Sequence, residues 1–145
     1  MTLKKMTTMT LLGLACISAY AKNLPVVDVY ETTSCPCCKE WDAHMRQNGF
    51  EVRSHYVNDP SIKRAEYGMP HRYGSCHTAR IDGYTIEGHV PASDIKQLLK
   101  TRPQAVGLSV PGMVQGSPGM ESPNPQHYDT LLIQSDGTAQ SFARH

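Results

Sequence analysis

The chain has 145 residues, of which 14 are basic and 13 acidic, giving a formal net charge of +1, and 39% are hydrophobic. That length suits one domain with one core, and the even charge excludes a basic surface of the kind that holds nucleic acid or anionic lipid. Five cysteines in so short a chain remain to be explained.

Residues 1–21, MTLKKMTTMTLLGLACISAYA, combine Lys4 and Lys5 with a short apolar stretch and then Ala19-Tyr20-Ala21. This is the layout of a cleaved export signal, with small residues placed for a cut after Ala21. The apolar stretch falls short of the ~20 residues that span a bilayer, so no membrane anchor is expected after cleavage. Gly13, three residues before Cys16, is not the bulky aliphatic residue expected ahead of a lipid-bearing cysteine. Cleavage takes the basic count from 14 to 12 against 13 acids. Export by such a signal is expected to place the chain in the periplasm, an oxidising compartment where thiols become disulfides or metal ligands.

PVVDVYETT, residues 25–33, is rich in β-branched residues and predicts a buried strand. Ser34 is a candidate cap for the helix that follows, in which Trp41, His44, Met45 and Asn48 recur at helical spacing before Gly49. Residues 50–57 alternate like a second strand, and Asp59-Pro60 opens a short helix. TARIDGYTIEGHV predicts two short strands around Asp82-Gly83, and PASDIKQLLKT a helix with Ile95, Leu98 and Leu99 on its apolar face. The order β-α-β-α-β-β-α is that of a thioredoxin-like α/β domain, predicted over residues 22–101. Residues 102–145 change composition: a Pro/Gly-rich stretch predicts a covering extension packed on the same domain, and DTLLIQSDGTAQSFAR predicts a closing hairpin.

In this frame Cys35-Pro36-Cys37-Cys38 occupies the turn between the first strand and the first helix, where thioredoxin-like proteins keep a C-x-x-C. Unpaired N–H groups and the dipole at a helix N-terminus favour thiolate over thiol. Cys35 and Cys38 fit a catalytic redox pair with that spacing, and Cys37 is surplus to it. A purely structural disulfide framework would join distant segments, whereas three of the four remaining cysteines lie within four residues. Counting back from the Asp82-Gly83 turn places Cys76, with His77 beside it, in the loop that faces the cluster. Thiolates and an imidazole converging from two segments select Cu(I), zinc or an iron–sulfur cluster. Met113 and Met120 lie among glycines and prolines in PGMVQGSPGM, where no regular helix forms, and exposed thioethers near thiolates suit Cu(I). Zinc does not need them.

CPCCKEW, SCHTA, GYTIEGHVPASDI and GLSVPGMVQGSPGME stand in the order found in CopG-type copper-resistance proteins, and the chain resembles that family over nearly all of its length after residue 21. The resemblance implies a thioredoxin-like domain whose extension helps bind metal, and a multinuclear copper site bridged by cysteine sulfur. It also implies periplasmic copper handling by interconversion of Cu(I) and Cu(II). Cys35, Cys37 and Cys38 match the C-x-C-C, Cys76 the cysteine of the C-H-T motif, and Met113 and Met120 the methionines of the extension. His77 and His89 lie inside matching motifs, each with a structural hydrogen bond as its other reading. Pro36 replaces a frequent glycine and stiffens the turn.

Two other classes compete with this reading. A thiol–disulfide oxidoreductase would use Cys35 as nucleophile and Cys38 as resolver, leaving Cys37, Cys76 and the methionines without a task. A structural zinc module would use four sulfurs, although a chain this long builds a core without one. Copper ions, with efflux or copper-chaperone proteins, are the partners expected of a monomer of this kind.

Overall fold

The computed structural model describes residues 24–145; the expected export signal, residues 1–21, lies outside the described residues. The elements are β1 (Val27–Glu31), α1 (Pro36–Gln47), β2 (Val52–Tyr56), α2 (Pro60–Glu66), β3 (Thr78–Ile81), β4 (Tyr84–Gly88), α3 (Ala92–Thr101), β5 (Gly107–Val110), β6 (Asp129–Ile133) and β7 (Ala139–Arg144), with a 3-10 turn at His71–Tyr73. No helix among the described residues is long and apolar enough to cross a membrane.

The seven strands form one mixed sheet in the order β2-β1-β3-β4-β5-β6-β7. β1 runs parallel to β2 and antiparallel to β3; β4 runs antiparallel to β3 and parallel to β5. Asp82 and Gly83 both take positive φ, 45° and 87°, as the tight turn between β3 and β4 requires. β6 and β7 pair antiparallel across residues 134–138. Val27 and Val29 of β1, Ile86 of β4, and Leu108 and Val110 of β5 join Trp41, Met45, Ile95 and Leu98 from the helices in one core. Each such side chain contributes about 1.5–3 kcal/mol on burial.

Two details differ from expectation. The N-cap of α1 is Cys35, not Ser34, because Pro36 is preset for the first helical position and starts the helix there. The Pro/Gly-rich stretch read as covering loop contains a strand: β5 is buried along its whole length and paired on both sides, with β4 and β6. The sheet is therefore continuous across residues 101 and 102, and Leu108, Val110 and Leu132 are part of the core.

Alternation along β1 puts Glu31 on the same buried face as Val27 and Val29. Both of its carboxylate oxygens lack a hydrogen-bond partner, as does Oδ1 of the buried Asp42 on α1. Burial first, then the Asp42 charge, push the Glu31 carboxyl up to about 7. An acid raised in the folded state favours folding while protonated, so this contribution is present below the ordinary carboxyl range and fades as pH rises to about 7. Glu31→Gln should flatten the loss of stability between about pH 4.5 and 7 and raise stability at pH 8 by about 1 kcal/mol, read from urea unfolding. An unchanged slope in the variant would contradict this account.

Candidate metal centre

Two chain segments build the site. The first is the start of α1, where Cys35 is the N-cap and Cys37 and Cys38 fall in the first turn. Cys35 and Cys38 are joined as a disulfide with Cα atoms 5.4 Å apart, and Cys37 and Cys76 are free thiols. The second segment, residues 74–77, leads into β3 and is held by a buried ion pair. Arg64 of α2 donates from Nε to Glu87 Oε1 at 2.8 Å, and from its second guanidinium nitrogen to the Ser75 carbonyl at 2.7 Å. The same Glu87 oxygen accepts the Ser75 N–H at 2.7 Å, and Glu87 Oε2 accepts from Thr78 Oγ1 at 2.7 Å. Burial pushes the Glu87 carboxyl up, against the hydrogen bonds and the Arg64 charge that hold it down. A Cβ on Gly88 would lie 2.6 Å from both Ser75 Cβ and the Val110 carbonyl, and its φ of +71° also favours glycine. This absence of a side chain lets the Cys76 segment lie against β4 and β5.

The outcome is a pocket of sulfur with imidazole on one wall. Cys76 Sγ lies 3.5 Å from Cys38 Sγ and 4.0 Å from Cys37 Sγ, while Cys37 Sγ lies 3.6 Å from Cys35 Sγ. On its other side Cys76 Sγ meets His89 Nε2 at 3.1 Å and His77 Nδ1 at 3.5 Å. Two ligand groups therefore share Cys76: one of the four cysteines, the other of Cys76, His77 and His89, with all donor atoms of each group within 4.8 Å of one another. Burial, then the nearby Cys37, push the Cys76 thiol up to about 12. Burial, then His89, push His77 down to about 3, and burial also lowers His89, so both imidazoles are neutral. Neutral imidazoles and soft sulfurs are a donor set that suits copper as well as zinc, and the His77 nitrogen turned toward the sulfurs is Nδ1. The residues fit the copper that the family resemblance implies.

His89 is oriented from behind. Its Nδ1 lies 2.8 Å from the Pro118 carbonyl, which only accepts, so Nδ1 carries the proton and Nε2 turns a lone pair toward Cys76. Trp41 packs its ring 4.5 Å from that of His77 and donates from Nε1 to the Val90 carbonyl at 2.9 Å, screening the site from the core side.

Pro118 belongs to the segment between β5 and β6, which carries both methionines. Gly112 donates to the Gly74 carbonyl at 3.0 Å and accepts from Ser75 Oγ, so Met113 follows a residue bonded to the Cys76 segment. The Met113 side chain itself is 59% exposed. Met120 is half-buried, and its backbone closes a turn with Gly116 at 2.7 Å and Ser117 at 2.8 Å. The four cysteines and two histidines thus present donor atoms to one pocket, while the methionines are placed near it only by their chain neighbours, Gly112 bonded to the Cys76 segment and Gly119 packed on Cys37.

A family profile described as a protein of unknown function, DUF411, matches residues 73–120, which hold Cys76, both histidines and both methionines. No curated protein matches the chain. Two solved structures named copper resistance protein CopG, in forms 2 and 1, are 41% and 42% identical to it. They cover 84% and 83% of this chain and 98% of their own, with TM-scores of 0.80 and 0.78. The chain belongs to the CopG family of copper-resistance proteins. Sequence reading of this CopG-family chain missed Arg64 and Glu87. The one signal pointing to them was an acidic residue inside the otherwise uncharged run GYTIEG. His44, which the sequence shows only as one of the residues at helical spacing along α1, accepts the Ala92 N–H at Nε2 at 3.1 Å and so caps α3, whose N-cap Pro91 offers no side-chain acceptor.

Proposed function

We propose that this chain is a periplasmic copper-binding protein of copper resistance, in which Cys35, Cys37, Cys38 and Cys76 bridge a multinuclear copper site. In this reading His77, His89, Met113 and Met120 complete the ligand set, and the site interconverts Cu(I) and Cu(II). The protein acts as an exported monomer that exchanges copper with efflux or copper-chaperone proteins. The strand order β2-β1-β3-β4 and the cysteines at the β1–α1 turn support a thioredoxin-like domain, with β6 and β7 as its C-terminal hairpin. Residues 102–145 serve as the metal-binding extension of that domain.

One observation carries the reading: Cys76 has sulfur neighbours on one side and an imidazole nitrogen at 3.1 Å on the other, so a single thiolate faces two ligand groups. A second reading, thiol–disulfide exchange with Cys35 as nucleophile and Cys38 as resolver, is favoured by the bond between those two residues. Offering all four thiolates to metal requires that bond to be open.

The test is to reduce the protein anaerobically, load it with Cu(I) or Zn(II), and measure metal per chain. More than one tightly held copper is expected, falling to one or none in Cys37→Ser. A single zinc without preference for copper would overturn the reading. Insulin reduction that survives both Cys37→Ser and Cys76→Ser would transfer the function to the oxidoreductase.

A further inference from the structure

The Cys35–Cys38 bond is closed to direct attack from outside, since Cys38 is fully buried and Cys35 is 9% exposed. Two free thiols stand inside the same pocket, Cys76 at 3.5 Å from Cys38 and Cys37 at 3.6 Å from Cys35. Disulfides exchange by attack of a thiolate on one sulfur, and reacting atoms held about 3–3.5 Å apart are close to the geometry of attack. The two thiols are not equivalent. Cys37 is separated from Cys35 by one residue and adjoins Cys38, so either bond from it closes a tight ring on the turn that starts α1. Cys76 comes from another segment and closes no such ring. Its sulfur is also held in place by a hydrogen-bond acceptor, His89 Nε2 at 3.1 Å, whose tautomer the Pro118 carbonyl fixes.

We propose that the four cysteines form an internal disulfide relay, in which Cys76 attacks Cys38 and the bond migrates from Cys35–Cys38 to Cys38–Cys76. Cys76 Sγ gives its proton up to solvent as the Cys76–Cys38 bond forms. The Cys38–Cys35 bond breaks, and its electron pair departs on Cys35 Sγ at the N-terminus of α1, where the helix dipole favours a thiolate. Cys35 then takes a proton from solvent, so none is gained or lost. One disulfide and two thiols enter and leave, so no oxidant or reductant is consumed. The product places one end of the bond on the half-exposed Cys76, where a small outside thiol can finish the reduction and free all four sulfurs. The relay rests on the four-sulfur site proposed above but needs no metal.

The experiment uses the metal-free full chain with a chelator present, so that its failure leaves the copper reading standing and the failure of copper loading leaves the relay testable. The oxidised protein is reduced with glutathione, quenched in acid at intervals, alkylated, digested, and its disulfides mapped by mass spectrometry. A transient Cys38–Cys76 linkage is expected. Loss of the Cys35–Cys38 bond should be at least about tenfold slower in Cys76→Ser, which removes the attacking sulfur. Reduction at the wild-type rate in Cys76→Ser would overturn the proposal. So would a mixed disulfide of glutathione with Cys35 formed with no Cys38–Cys76 species at any time. Cys35→Ser gives a second measurement, since mild oxidation should then produce Cys38–Cys76; only intermolecular or Cys37-containing bonds would contradict the relay.

Discussion

Arg64→Met is expected to destabilise the fold by about 3–5 kcal/mol, because it leaves the Glu87 carboxylate buried without its ion partner. Glu87 is completely buried and Arg64 nearly so, and the guanidinium also holds the Ser75 carbonyl beside Cys76. The cost should depend on pH with a definite sign. Burial already raises the Glu87 carboxyl, and loss of Arg64 raises it further, so the variant should lose more stability at pH 8, where Glu87 is charged, than at pH 5, where a proton neutralises it. Urea unfolding at the two pH values measures this. The double variant Arg64→Met/Glu87→Gln should recover much of the loss, as replacing both partners removes the unpaired charge. A uniform loss of under about 1 kcal/mol would show that water reaches Glu87 and that the pair does not anchor the Cys76 segment.

Gly119→Ala should detach the β5–β6 segment from α1. An added Cβ would lie 2.7 Å from the Cys37 carbonyl and 2.8 Å from the Trp41 nitrogen, both backbone atoms of a helix that does not yield, and φ at this position is +82°. The left-handed backbone adds roughly 1–2 kcal/mol and the overlap about 1–3 kcal/mol. The segment should relieve them by lifting away, which removes the Pro118 carbonyl from His89 Nδ1. The expected signature is rapid proteolysis within residues 111–128 while the far-ultraviolet spectrum stays that of the native sheet. Copper should be held on the order of tenfold less tightly, the scale on which a ligand loses affinity with its orienting hydrogen bond. Wild-type resistance to protease would show that α1 gives way instead.

Much of the pocket is legible in the sequence. The cysteine cluster was assigned to the β1–α1 turn because a β-branched run before it and a helical period after it are both local signals. Cys76 followed from register, since the Asp82-Gly83 turn sets how far back β3 reaches. β5 escaped because GLSV is only four residues long and buried on both faces, so it shows no alternation, and it begins on Gly107 and runs into Pro111 in a stretch that otherwise reads as loop. Arg64 escaped for a different reason. In SIKRAE it looks like one more charge on the solvent face of a short helix, and its partner lies 23 residues away, at a distance only the folded chain closes. His44 is similar: its role as a cap for α3 is tertiary, and no spacing within α1 announces it.

The segment between Val110 and Asp129 is pinned at both ends inside the sheet, stitched to the Cys76 segment at Gly112 and seated on α1 at Gly119. It is therefore a bridge with two abutments, not a flap with one hinge. The entropy of ordering its residues is spent when the chain folds and is not charged again at each encounter with an ion. On the ligand set proposed above, a pair of thioether donors on a free tail would surrender that freedom every time it closed. Carried on a bridge, the same pair would have surrendered it once, on folding, with Met113 left facing solvent at the outer edge.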